Sequence, residues 1–152
     1  MEGITITVDT SGLRAKRDRV MSRILQNLPV AIQTGGDIVA NAAKGHAPVK
    51  SGTLRDSIQT REIKVDGLTA SGKVGPSDDV PYAKIQDKGG FVPADAEYIE
   101  PVKKKALAFG GKVYKRVKRH FIPAHPYMDP AVEETREIAK QAMKGTVLAG
   151  IK

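Results

Sequence analysis

Residues 18–44 read DRVMSRILQNLPVAIQTGGDIVANAAK. Val20, Ile24, Leu28, Ala31, Ile32, Ile38, Val39, Ala42 and Ala43 recur at intervals of three and four, with Arg and Gln between them. That spacing gathers the apolar side chains on one face of an α-helix running from near Asp18 to near Lys44. Unbroken, such a helix is about 40 Å long at 1.5 Å per residue. A compact chain of this length has a radius of gyration of only about 15 Å. Pro29 carries no backbone donor and Gly35-Gly36 is conformationally loose, so the stretch is expected to kink or split there, and Gly45 and Pro48 close it.

On the N-terminal side, Ile4, Ile6 and Val8 alternate with Thr5, Thr7 and Asp9. This is the period of a half-buried strand, within a flexible or strand-forming segment 1–12. On the C-terminal side, Thr53 and Asp56 stand at capping-box spacing and predict a short helical turn. Ile63 and Val65, then Asp66-Gly67, then Leu68, Ala70 and Val74 predict a hairpin with a two-residue turn. Val80 to Asp87 is ambiguous, with one helical turn around Tyr82 to Ile85 as its best reading. A basic hairpin is expected at about 98–122, with strands Val102–Phe109 and Lys112–Phe121 joined at Gly110-Gly111. The last helix, about 130–144, has Asp129 placed to cap it and Pro130 suited to its first position. Glu133 and Glu134 favour its positive end. Val132, Thr135, Ala139, Ala142 and Met143 form its apolar stripe, and Gly145 is its stop.

The 152 residues suit one domain, 1–152, since no repeat and no long linker divides them. The 40% apolar content and seven aromatic residues exclude collagen-like and transmembrane classes. The start, Met1-Glu2-Gly3-Ile4, lacks the basic and apolar regions of a secretory signal. With no cysteine, thiol catalysis, thiolate metal sites and disulfides are excluded, and a reducing cytosol fits. The net charge of +8 favours polyanionic partners or acidic protein surfaces. Between Pro101 and His120 stand eight Lys or Arg residues and no acid: Lys103, Lys104, Lys105, Lys112, Lys115, Arg116, Lys118 and Arg119.

Candidate chemistry is sparse. His46, His120 and His125 show no zinc-like pairing with carboxylates, and a hydrolase built around His120, His125 and Asp129 is the weakest reading. Ser51 and Ser57 sit in no nucleophile elbow, and no glycine loop matches a phosphate cradle. No catalytic residue, cofactor or metal is therefore expected. The basic hairpin is the sharpest feature. A Gly110-Gly111 turn pairs Phe109 with Lys112 and Leu107 with Tyr114, and puts Lys105 opposite Arg116 and Lys103 opposite Lys118. Like charges directly opposed on a sheet destabilise it by roughly 0.2–1 kcal/mol each. An anionic surface would neutralise them; the alternative is a solvated arm whose charges stay apart. Tyr114 is the one aromatic amid these bases, so base-specific reading of nucleic acid is not supported.

Three stretches carry a resemblance: His46-Ala47-Pro48-Val49-Lys50-Ser51-Gly52-Thr53-Leu54-Arg55-Asp56-Ser57-Ile58, Val80-Pro81-Tyr82-Ala83-Lys84-Ile85, and Ile122-Pro123-Ala124-His125-Pro126-Tyr127-Met128-Asp129-Pro130-Ala131. In this order, across Asp18 to Gly145, the chain resembles the small neck or tail-completion proteins of long-tailed bacteriophages, the HK-type tail-component family. Gln86-Asp87-Lys88-Gly89-Gly90 lacks the aromatic usual after the second stretch, Tyr127 replaces a usual Phe, and Asp129 holds a position often basic.

The resemblance implies an α+β subunit, amphipathic helices packed on an antiparallel sheet, and no catalysis. It implies a ring of copies of the chain itself, with a hexamer as a candidate copy number, between head connector and tail tube. Connector and tail-tube proteins are then the partners, with no membrane, in a virion assembled in the host cytoplasm. Pro48, Gly52, Thr53, Leu54, Arg55, Asp56, Tyr82, Pro126, Tyr127 and Pro130 are the motif positions, architectural in role. Lys103, Lys105, Arg116 and Lys118 become the candidate contacts with an acidic neighbour or with DNA in the channel, the latter non-specific and salt-dependent. The alternative function is a small basic cytosolic nucleic-acid-binding module.

Overall fold

The computed structural model describes residues 9–92, 97–100, 107–109, 112–149 and 151. The expected strand at Ile4–Val8, the bases Lys103, Lys104 and Lys105, and the Gly110-Gly111 turn lie outside them. Helix α1 spans Ser11–His46, α2 Thr53–Ser57, and strands β1 Gln59–Asp66 and β2 Thr69–Gly75 form a hairpin. Helix α3 follows at Ala83–Lys88, then short strands β3 Gly90–Val92, β4 Tyr98–Ile99, β5 Leu107–Phe109, β6 Lys112–Tyr114, β7 Val117–Lys118 and β8 His120–Ile122, and finally helix α4, Met128–Leu148. Every strand pair is antiparallel. The class is α+β.

Helix α1 is not split. Its 36 residues run through Pro29 as one α-helix about 54 Å long. Leu25 and Gln26 are exposed, so water can satisfy the carbonyl that Pro29 has no N–H to reach. Gly35 and Gly36 are contact points rather than breaks. A Cβ on Gly35 would lie 2.6 Å from Met143 Cγ and Sδ of α4, and one on Gly36 would lie 2.4 Å from Thr60 Oγ1 of β1. The two glycines let a helix and a strand approach the α1 backbone from neighbouring directions.

Helices α1 and α4 pack antiparallel. Asn27 Nδ2 donates to the Ala149 carbonyl at 2.9 Å near one end, and His46 Nε2 lies 3.0 Å from Glu134 Oε2 near the other. Small residues make the seam: Ala31, Ala40 and Ala43 on α1, Ala131, Thr135 and Ala139 on α4, all buried. Residues 11–26 therefore extend about 24 Å beyond α4, and all of Ser11–Arg19 is exposed.

The β1–β2 hairpin turns one residue later than expected, Asp66 pairing with Thr69 around Gly67-Leu68. Its register slips between Arg61 and Lys64, where Glu62 adopts φ 52° and its carboxylate meets Lys73 Nζ at 2.7 Å. The extra residue of this bulge accounts for the positive φ at a non-glycine position.

The basic segment departs further from expectation. At the tip, Phe109 pairs with Lys112 and Leu107 with Tyr114, as the Gly110-Gly111 turn predicts. Lower down, Tyr98 pairs with Lys118 and Ile99 with Val117; then Val92 pairs with His120 and Gly90 with Ile122. From Ile99 to Leu107 the outward chain advances eight residues against three from Val117 to Tyr114. That slip of five residues carries Lys118 away from the register that opposed it to Lys103, and its strand partner is Tyr98. One return segment, 112–122, thus pairs in turn with three separate pieces of the outward chain.

Candidate functional site

The three signature stretches meet in one core. Ala47, Leu54 and Ile58 come from the first, Val80 and Ala83 from the second, and Tyr127 and Ala131 from the third, packed with Ala40 and Ala43 of α1. Tyr127 and Ile58 are the largest side chains fully buried. Each apolar side chain of that size contributes roughly 1.5–3 kcal/mol by leaving water. These buried members of the stretches therefore place elements rather than face a partner.

The caps differ from the sequence expectation. Gly52, at φ 83°, is the N-cap residue of α2, with no side-chain cap bond. Thr53 and Asp56 do not form a capping box: Thr53 lies in the first turn with its N–H 3.4 Å from Ser51 Oγ, and Asp56 pairs with Arg55 at 3.3 Å. At α4 the first helical residue is Met128, so Pro130 falls two positions later, and Asp129 gives its carboxylate to Lys88 Nζ at 2.7 Å. The N-terminus of α4 is instead held from α3. Asp87 Oδ1 accepts the N–H of Tyr127 at 3.0 Å and of Met128 at 3.3 Å, and Lys88 Nζ lies 3.3 Å from its other oxygen.

Burial pushes the Asp87 carboxyl up, but the two N–H groups and the Lys88 ammonium outweigh it and hold it below its ordinary range. Burial, then the Asp87 charge, pushes the Tyr127 phenol up, and its hydroxyl donates to the Ala83 carbonyl at 3.3 Å. Sequence reading treated Asp87 only as part of an atypical stretch. A lone acid at the end of a six-residue helix gives no signal of a cap forty residues away.

The basic ribbon carries the second constellation. Arg116 Cζ sits 4.3 Å above the Tyr98 ring and Arg119 Cζ 4.2 Å above the Phe91 ring, while Phe91 and Phe121 meet edge-on at 5.3 Å. Both arginines lie two positions from the residue paired with their ring, so the contacts are cross-strand diagonals. Each cation–π contact at an exposed site is worth about 0.5–1 kcal/mol. Arginine thus occupies the rings, and Lys112, Lys115, Lys118 and His120 stand exposed beside them. Phe91 and Tyr98 were missed because they precede the basic run, and only the slipped register brings them to it.

Of the other motif positions, Leu54 and Tyr127 are buried, Arg55, Asp56 and Pro126 are exposed, and Pro48 is partly buried. Tyr82 is 44% exposed. With Pro48, Lys50, Gly52, Leu54 and Gln86 it lines a shallow groove of about 430 Å³. His120 is exposed, and the His125 ring Nδ1 lies 3.2 Å from the Pro123 carbonyl. Among the described residues no three His, Cys, Asp or Glu side chains gather as metal ligands, and no helix is long and apolar enough to cross a membrane.

The three signature stretches are spent on the core and the charge is set on exposed elements of an α+β fold. Residues 18–89 match the HK97-gp10-like family model, described as "Bacteriophage HK97-gp10, putative tail-component". That segment, which holds the first two signature stretches, is similar to HK-type bacteriophage tail components. No curated protein and no solved structure matches it. A tail component resides in the virion and works through other virion proteins.

Proposed function

We propose that the chain is a neck or tail-completion subunit, copies of which form a ring between the head connector and the tail tube. The family match over residues 18–89 is the observation that carries this reading. The basic ribbon supports it as the surface toward a partner. With arginines stacked on its rings, it offers positive charge in fixed positions rather than free aromatic faces for bases. We assign its contacts to an acidic neighbouring protein or to DNA phosphates in the channel, with Arg116 and Lys118 at the centre and Lys103 and Lys105 as further candidates.

Replacing Lys103, Lys105, Arg116 and Lys118 together by Ser is expected to leave circular dichroism unchanged and to cost no more stability than the Arg116–Tyr98 contact, about 0.5–1 kcal/mol, while infectious particles fall by at least an order of magnitude. Unchanged infectivity would remove the ribbon from the joining role. The position of the chain is checked by labelling it in finished particles: signal at the head-proximal end of the tail is expected, and signal spread along the tube would refute a neck position. The nucleic-acid-binding module keeps one specific expectation, duplex binding that falls steeply with added salt. Strong binding by a chain absent from particles would favour that module.

A further inference from the structure

On α1, Leu13, Val20, Ile24, Ala31 and Gly35 follow one another at intervals of seven, four, seven and four. At roughly 100° per residue they fall within about 60° of one another, on a single row. The C-terminal part of the row is filled: Ala31 is buried, and a Cβ on Gly35 would meet Met143 of α4. Helix α4 ends at Leu148, with the Ala149 carbonyl at Asn27, and the row runs on past it. There Leu13 is 71% exposed, Val20 and Ile24 are half-buried, and the flanking Met21 and Leu25 are exposed. Arg17, also on the row, gives its guanidinium to Asp18 at 2.7 Å, which leaves its methylenes as apolar surface. Arg19 and Arg23 lie roughly 90° or more round the helix from the row. Residues 1–8, outside the described residues, read MEGITITV, and Ile4, Ile6 and Val8 alternate with Thr5 and Thr7. Only Asp9 and Thr10 separate them from α1, and Asp9 Oδ1 accepts the Ser11 N–H at 2.8 Å.

We propose that residues 3–8 fold back as a strand along α1 of their own chain, laying Ile4, Ile6 and Val8 on this row with Thr5 and Thr7 toward water. Length and period select the occupant. From Val8 to Ile4 an extended chain covers about 13 Å, against about 16 Å from Leu13 to Ile24. Alternate strand residues stand about 6.6 Å apart, close to the helical pitch of about 5.4 Å. Val8 then falls level with Leu13, Ile6 between Leu13 and Val20, and Ile4 between Val20 and Ile24. The tether selects the same chain over a second copy. A link of two residues holds the segment at an effective concentration in the millimolar range, far above that of a neighbouring copy in dilute solution. The docked strand closes the apolar row at the end that α4 does not reach. This inference stands apart from the ring reading and holds whether or not the chain is found in particles.

The chain has no cysteine, so introduced pairs report contacts cleanly. A chain carrying Ile4→Cys with Ile24→Cys is oxidised in dilute solution beside one carrying Ile4→Cys with Arg23→Cys, whose second thiol lies off the row. The on-row pair is expected to close within the chain several-fold faster than the off-row pair. Equal closure of the two pairs, or no closure, would overturn the proposal. Disulfide-linked dimers exceeding the intramolecular product would also overturn it, by making a second copy the occupant. Hydrogen exchange tests the same contact without thiols. Replacing Ile4, Ile6 and Val8 together by Ser is expected to speed amide exchange several-fold across residues 13–24 and to leave α4 unchanged. Exchange in residues 13–24 that ignores the replacement would show that nothing of this segment lies on the row.

Discussion

Asp87 ties two segments together through one carboxylate oxygen that accepts from Tyr127 and Met128. Replacing a capping carboxylate by Ala removes about 0.5–2 kcal/mol, and here it also strands two N–H groups near the core. Asp87→Ala is therefore expected to lower unfolding stability by about 2 kcal/mol in urea or heat. Thr53→Ala should stay within about 0.5 kcal/mol, because Thr53 makes no cap bond. The folded Asp87 carboxyl is lowered relative to the unfolded one. Its contribution is thus complete above the ordinary carboxylate range, near pH 4, and is lost as pH falls through the folded value. The stability gap between the native chain and Asp87→Asn should shrink below about pH 4; a gap constant with pH would show that the charge is not what holds the helix end.

At the scale of elements, periodicity revealed α1 and α4 and their apolar faces, since a repeat of three and four survives any tertiary arrangement. What it could not reveal was whether Gly35-Gly36 breaks a helix or admits a neighbour, because that depends on Met143 and Thr60, remote in sequence. Gly36→Val should destabilise by about 1–3 kcal/mol through overpacking against Thr60. Gly45→Ala, where a Cβ meets nothing within 4 Å, should stabilise by about 0.5–1 kcal/mol. Pro29→Ala should raise stability by up to about 3 kcal/mol by restoring a helix donor; no gain in thermal unfolding would mean the chain already accommodates the proline. The ribbon teaches the same lesson. Turn chemistry at Gly110-Gly111 correctly set the tip register, but a turn governs only the pairs beside it. The slip between Ile99 and Leu107 then carried Lys118 to Tyr98, and with it the stacking of Arg116.

Across the whole molecule, the signature stretches and the charge divide the work. Leu54, Ile58, Ala83 and Tyr127 build the core, which explains why their order and spacing were legible in the sequence. The surface was legible only as a total. The net charge drew attention to residues 101–120, whereas the second basic region, on α1 before Gln26, was hidden inside a helical pattern and emerges once α4 is seen to stop short of it. In the proposed ring, the ribbon faces a neighbour or DNA. The most direct test of this account is electron microscopy of particles made when the gene is disrupted in its parent phage or prophage. Filled heads beside finished, unattached tails are predicted for a neck subunit, and tails of uncontrolled length for a tail-completion subunit. Normal, infectious particles would contradict the account.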